Sequence, residues 1–144
     1  MTKFLTIAFL SLTLIACGQK KQLIDKDKER IDKTCDTFMN MFADGKAVEA
    51  LQLIKQNTVM TPSSIDTLQV TITNQMNDYF PAYGKMLSAD FVIERKIKDY
   101  IAKRFYILRF EKYYLKFDFT LYKGTSGWTI TSFKYNEDLT ELLY

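Results

Sequence analysis

The spacing of apolar residues changes once along the 144-residue chain, at Pro81, and this change limits the folds that the chain can adopt. Before Pro81, apolar side chains recur every three or four residues, which is the period of an α-helix. After Pro81 they alternate with polar residues, and aromatic and β-branched residues favour strands. Helices followed by sequential strands predict an α+β domain, with three N-terminal helices packed on one face of a four-stranded antiparallel sheet.

Three helices are predicted before Pro81. The first ends at Asp44-Gly45, where glycine supplies the left-handed residue that follows a helix. The second ends near Gln56-Asn57, and the third begins at Thr61-Pro62, a capping hydroxyl followed by proline. Their apolar stripes are, in order, Ile24, Ile31, Cys35, Phe38 and Phe42; Ala47, Ala50, Leu51 and Ile54; and Ile65, Leu68, Ile72, Met76 and Tyr79.

Four strands are predicted after Pro81, two of them at residues 91–97 and 105–110. The next has a strict period of two, which turns Leu115, Phe117, Phe119 and Leu121 toward the helices and Lys116 and Asp118 toward solvent. Turn residues at 124–127 join it to the last strand, in which the step from Ile130 to Phe133 predicts a bulge.

Composition excludes several classes of function. The formal net charge of +3, from 20 basic and 17 acidic residues, is too small to indicate a nucleic-acid-binding protein. The chain has no histidine, which excludes Ser-His-Asp and Cys-His catalysis and every His-ligated metal site. We therefore expect no metal or other cofactor and no nucleic-acid partner.

The first sixteen residues form a targeting segment. A basic start is followed by an uncharged run from Phe4 to Ala16, which as a helix spans about 20 Å and is too short for a bilayer core of about 30 Å. The run ends in Leu14-Ile15-Ala16-Cys17, which resembles the lipobox of bacterial lipoproteins. This resemblance implies cleavage before Cys17, a diacylglycerol on its thiol and an acylated amino terminus. Gly18 follows the cysteine at a position where an aspartate would favour retention in the inner membrane of enterobacteria. The resemblance therefore implies the outer membrane of a Gram-negative bacterium.

Three regions follow from this segment: a signal peptide at residues 1–16, a lipidated tether at 17–27 and a single α+β domain at 28–144. The tether is polar and mixed in charge, and its last residues could equally be the first turns of the next helix. After acylation of Cys17, the remaining thiol is Cys35, so an intramolecular disulfide is excluded. Cys35 lies within an apolar stripe, which predicts a buried and inert thiol.

Helices followed by four strands resemble the nuclear transport factor 2-like superfamily. Residues 42–51, Phe-Ala-Asp-Gly-Lys-Ala-Val-Glu-Ala-Leu, look like its link between the first two helices. Residues 128–133, Trp-Thr-Ile-Thr-Ser-Phe, look like its last strand. The resemblance covers about residues 28–135. It implies a curved sheet and a cone-shaped fold with a pocket between sheet and helices, but it implies no activity, because this fold serves enzymes, binding modules and dimerisation domains.

Three groups of residues are candidates for chemistry. The basic stretch from Arg95 to Lys116 could bind an anionic partner, but strand parity sends Lys103 and Arg109 to one face of the sheet and Arg104 and Lys112 to the other. Asp118 could serve as an acid or base if it faced a pocket. The aromatic residues of the strands could line a ligand site or belong to the core: Tyr100, Tyr106, Tyr113, Tyr114 and Trp128.

The sequence predicts a non-catalytic binding or assembly module of the cell envelope, held on the lipid bilayer by acylated Cys17. Its ligand or protein partner is not identified, and a homodimer stays open. The alternative is a small-molecule enzyme, or a carrier of lipids or small molecules, that uses the cone pocket. A carboxylate with a raised pKa that faces a pocket would favour the enzyme.

Overall fold

The computed structural model describes residues 25–144, which form helices packed on a four-stranded antiparallel sheet, as predicted. The predicted signal peptide, Cys17 and residues 18–24 of the tether lie outside the described residues. The helices are α1 (Lys26–Ala43), α2 (Ala47–Lys55), α3 (Pro62–Asp78), α4 (Phe80–Tyr83) and α5 (Thr140–Leu143). The strands are β1 (Met86–Ile97), β2 (Ile101–Phe110), β3 (Tyr114–Gly124) and β4 (Gly127–Asn136). They pair in chain order, which leaves β1 and β4 at the edges of an open sheet.

Side-chain caps set the first residues of α1 and α3. Asp25 caps α1, so residues 26 and 27 form the first turn of this helix, which is one of the two alternatives left open for the end of the tether. Thr61 caps α3 and Pro62 is its first residue, as predicted. Tyr79, predicted to extend the apolar stripe of α3, is exposed because the helix ends at Asp78. The short helix α4, which was not predicted, follows directly.

Bulges bend the sheet at both edges. In β4 the predicted bulge is present: Thr120 pairs with Ser132 and Leu121 with Ile130, so Thr131 is the extra residue. In β1, the pairing register shifts at Leu87 and again at Val92. Each bulge bends its strand and increases its right-handed twist.

Aromatic side chains join α1 to the sheet, as the period of β3 predicts. Phe38 lies edge-on to Phe119 and Phe133, with ring centroids 5.3 and 4.9 Å apart, and Phe42 meets Phe117 at 5.1 Å. Ile65 and Ile72 of α3 belong to the same core. Within residues 25–144, every buried residue of this core lies between residues 31 and 133, so a chain that begins at Gly18 retains all of the described core and is expected to fold.

The back face of the sheet, opposite the helices, differs from the prediction. Lys116 and Asp118 were expected to face solvent, but they are only 1% and 2% exposed. The reason is the end of the chain, which returns over this face: Tyr114 Oη donates to the carbonyl of Glu137 at 3.2 Å, and Glu141 of α5 pairs with Lys103 of β2. Period two therefore predicted the direction of each side chain correctly, but not what covers the back face.

Candidate functional site

A cleft opens where α3 and α4 meet the start of β3 and the end of β4. Its volume is about 350 Å³, within the range of small-molecule sites. Tyr135 Oη donates a hydrogen bond of 2.5 Å to Gln75 Oε1, which joins α3 to the sheet inside the cleft. Tyrosine and amide groups can bind a ligand that is partly apolar and partly polar. The cleft is lined by Gln75, Tyr79, Phe80, Tyr83, Leu115, Tyr135, Asn136 and Glu137.

A second cavity, which we call the back cavity, lies on the back face near the turn between β1 and β2. Its volume is about 430 Å³. Ile97, Ile101 and Phe105 contribute apolar surface, while Arg95 and Lys103 add positive charge. The other lining residues are Lys96, Thr120 and Glu141.

Lys103 links the back cavity to the buried Asp118. Its Nζ lies 3.4 Å from Asp118 Oδ1 and is closer still to Glu141 Oε2. The hydrogen bond from Lys103 holds the pKa of Glu141 below its usual value. Asp118 Oδ1 has no hydrogen-bond partner among the described residues, so the lysine charge is its main compensation. Asp118 therefore supports the packing of α5 on the sheet and does not face the cleft.

An ionic cluster joins α1 to β1 and β2 on the helical face. Arg104 donates to Asp36 at 2.9 Å, to Glu94 at 3.2 Å and to Tyr106 Oη at 2.9 Å. Lys28 donates to Glu94 at 2.6 Å and also to Asp32. Sequence reasoning missed this cluster. The available signal was the spacing of Lys28, Asp32 and Asp36 at successive four-residue intervals, which places all three on one face of α1.

Burial and charge act in opposite directions within the ionic cluster. Burial raises the pKa of Asp32 above its usual value, although Lys28 and Arg104 oppose the shift. Burial also opposes ionisation of Glu94, but its hydrogen bond and charge interaction with Lys28 lower its pKa overall. The pKa of Tyr106 is raised by burial and by its hydrogen bond to Asp36. These groups compensate one another, which is typical of a structural network.

Hydrogen bonds join the start of α1 to the residues around the turn between β3 and β4. Asp25 accepts hydrogen bonds from Lys123 Nζ at 2.7 Å and from Trp128 Nε1 at 3.1 Å. The hydrogen bond from Lys123, followed by that from Trp128, lowers the pKa of Asp25. The backbone N–H of Lys123 donates to the carbonyl of Tyr100 at 2.8 Å, so the turn between β1 and β2 lies at the same end of the domain.

The candidates named from the sequence occupy separate places. Arg104 faces α1 and Lys103 faces the back, as strand parity predicted, so the basic stretch is not one patch. Tyr106 and Trp128 are buried, whereas Tyr100 and Tyr113 are exposed. The prediction that Cys35 is buried is confirmed, and burial raises the pKa of its thiol to about 12. Cys17, the predicted lipidation site, lies outside the described residues.

Within residues 25–144, no helix is both long and apolar enough to cross a membrane. The same residues contain no group of three or more cysteine or carboxylate side chains that could hold a metal ion. Comparisons of the chain with protein-family models, with curated proteins and with solved structures find no match.

Proposed function

We propose that this chain is a lipoprotein held on the bilayer by acylated Cys17, in the outer membrane of a Gram-negative bacterium. Support comes from the uncharged run that ends in Leu14-Ile15-Ala16-Cys17 and from Gly18 after the cysteine. Residues 18–25 separate Cys17 from the first residue of α1, which leaves a short connection between lipid and domain.

We further infer that the domain has a nuclear transport factor 2-like fold. Four helices, the last of them the short α4, precede a four-stranded antiparallel meander, and the core lies between helices and sheet. Bulges in β1 and β4 support a curved sheet, because each one bends its strand.

The domain acts as a non-catalytic binding module for a small ligand, and the cleft is the observation that carries this proposal. Tyr79, Tyr83 and Tyr135 supply aromatic surface, and Gln75 and Asn136 supply amides, so the ligand combines an apolar body with hydrogen-bonding groups. β3 runs from Leu115 at the cleft to Lys123 beside Asp25, a distance of about 26 Å at 3.3 Å per residue. The cleft therefore lies at the opposite end of β3 from the point where the tether joins.

An enzyme that uses the cleft is the weaker alternative. The carboxylate that lines the cleft is that of Glu137, which is exposed. Asp32, whose pKa is raised by burial, belongs to the ionic cluster. Neither arrangement supports a buried general acid or base inside the cleft.

Acylation is tested by labelling cells with radioactive palmitate. Wild-type chain and a Cys35→Ala variant should both incorporate the label, whereas Cys17→Ser should accumulate as an unlabelled precursor. Cys35→Ala is the matched control, because it removes the other cysteine of the chain. Normal labelling of Cys17→Ser would contradict the assignment of the anchor.

Ligand binding is tested with full-length protein purified from detergent-solubilised membranes and examined by native mass spectrometry. Gln75→Trp fills the cleft, while Val70→Trp adds the same side chain at an exposed position of α3. The wild-type chain and Val70→Trp should retain a bound small molecule that Gln75→Trp lacks, and thermal melts should show that both variants are folded at the temperature of the binding measurement. A molecule retained equally by all three would show that the cleft is not the site.

A further inference from the structure

One end of the domain combines the point where the tether joins with an exposed amphipathic surface. We call it the Asp25 end, because Asp25 is the residue that precedes α1. Two contacts bring its parts together: Lys123 Nζ pairs with Asp25 at 2.7 Å, and Lys123 N donates to Tyr100 at 2.8 Å. The surface consists of Asp25, Arg95, Lys96, Ile97, Lys98, Asp99, Tyr100, Tyr122 and Lys123.

Apolar and aromatic side chains project from this end. Ile97 is 64% exposed, and Tyr100 and Tyr122 are 47% and 45% exposed. Tyrosine has an apolar ring and a polar tip, and for this reason it is enriched where hydrocarbon meets lipid headgroups. Ile97 and Tyr122 lie in one row across the sheet, because each pairs with Ile101. A contiguous exposed apolar surface of this kind indicates a partner that covers it.

The charge of the Asp25 end is positive. It contains four bases and two acids, and Lys123 is paired with Asp25. Lys96 is paired with Glu94 at 3.2 Å. Among the described residues, no carboxylate lies within ion-pair distance of Arg95 or Lys98. These two cations are therefore available to phosphate groups.

The back cavity opens beside the same end. Arg95, Lys96 and Ile97 belong to both surfaces. Phe105 and Ile101 extend the apolar wall away from the turn. An apolar cavity with a cation at its rim fits an acyl chain below an anionic headgroup. This observation favours lipid over an acidic protein, which would use the charge but not the cavity.

We propose that the Asp25 end rests on an anionic bilayer, with Ile97, Tyr100 and Tyr122 in the headgroup region and Arg95 and Lys98 against lipid phosphates. The proposal deepens the lipoprotein function proposed above: the anchor at Cys17 supplies proximity, and this surface sets the orientation of the domain. In that orientation the cleft opens away from the membrane. The several acyl chains on Cys17 already provide stable attachment, so the surface contributes orientation and not anchoring.

The test uses an unlipidated chain that begins at Gly18 and vesicles of phosphatidylglycerol and phosphatidylcholine. Cosedimentation should show binding to the mixed vesicles that is lost at high salt and is weak with pure phosphatidylcholine. The double variant Arg95→Gln/Lys98→Gln should lower the partition coefficient about 30-fold, because each base near an anionic surface contributes about fivefold. Ile97→Ser/Tyr100→Ser should weaken binding to the same vesicles as well.

The matched control is Lys85→Gln/Lys112→Gln, which removes two bases beside Tyr83 at the cleft end. It should leave binding within twofold of wild type. If the two charge variants lose vesicle binding equally, the binding depends on net charge alone and the proposal is overturned. The proposal is also overturned if the wild-type chain does not bind the mixed vesicles. Because this chain lacks Cys17, such a failure leaves the palmitate result, and with it the anchor, unaffected.

Discussion

Replacement of Arg104 by methionine removes the cation that holds α1 against β1 and β2. The Arg104 side chain is 9% exposed and lies within 3.3 Å of oxygens of Asp32, Asp36 and Glu94. Methionine has a similar length and keeps an apolar contact with the ring of Phe91, over which the guanidinium carbon now lies at 4.5 Å. The substitution therefore removes charge and leaves most of the packing in place.

The size of the stability loss follows from the removal of the Arg104 charge from its three carboxylate partners. Removal of one partner from a buried ion pair costs about 3–5 kcal/mol, because the other charge is left without compensation. Two features reduce this value here: Asp36 is about half exposed, and Lys28 still contacts Asp32 and Glu94. We expect Arg104→Met to lower the free energy of unfolding by about 2–3 kcal/mol at pH 7.

The effect should depend on pH in a defined direction. The pKa of Glu94 is lowered in the folded state, so its contribution to stability is present above its unfolded pKa and is lost as pH falls through the folded pKa. Protonation of the orphaned carboxylates also removes their repulsion in the variant. The difference in stability between wild type and Arg104→Met should therefore be full at pH 7 and shrink as pH falls below the usual pKa of glutamate, about 4.3.

Urea denaturation of the chain that begins at Gly18, monitored by the fluorescence of Trp128, measures the loss of stability at pH 7 and its change with pH. Arg109→Met is the matched control, because Arg109 lies on the same strand with an exposed side chain 3.9 Å from Asp90. It should change stability by no more than about 0.5 kcal/mol. The reasoning is refuted if both variants lose equal stability, or if the loss in Arg104→Met grows as pH falls.

Three further predictions concern other contacts. The thiol of Cys35, with its pKa raised to about 12 by burial, should resist labelling at pH 8 until denaturant is added, and rapid labelling would contradict its burial. Gly127→Ala should lower the free energy of unfolding by about 2 kcal/mol, because Gly127 has φ +110° and an added Cβ would overlap a carboxylate of α1. The control is Gly124→Ala, whose added Cβ meets its nearest atom at 3.6 Å. It should lower the free energy of unfolding less in the same urea melt. Glu94→Gln should destabilise the domain more than Asp32→Asn does at pH 7, because the folded state favours the ionised form of Glu94 and disfavours that of Asp32. Denaturant melts compare the two variants, and the reverse order would contradict the assigned pKa directions.

The ionic cluster illustrates what sequence patterns leave open. The four-residue spacing of Lys28, Asp32 and Asp36 identifies a polar face of α1, and such a face usually lies in solvent. It is partly buried here because β1 and β2 bring Glu94 and Arg104 opposite it. Which charges meet depends on the register of β1 on β2, where Glu94 pairs with Arg104, and that register follows a bulge at Val92. Single-residue patterns do not specify such a register.

The sequence by itself determined the order of the three predicted helices and the four strands, the caps at Thr61 and at Gly45, and the direction of each side chain along β3. These properties are local, because they depend on periodicity and on backbone preferences of individual residues. The tertiary structure decided which of those directions leads to solvent. Lys116 and Asp118 point away from the helices as their alternation requires, yet they are buried on the face to which the end of the chain returns, where Glu137 accepts from Tyr114 and Glu141 pairs with Lys103. Burial is a property of two surfaces in contact, and only the folded chain determines the second surface.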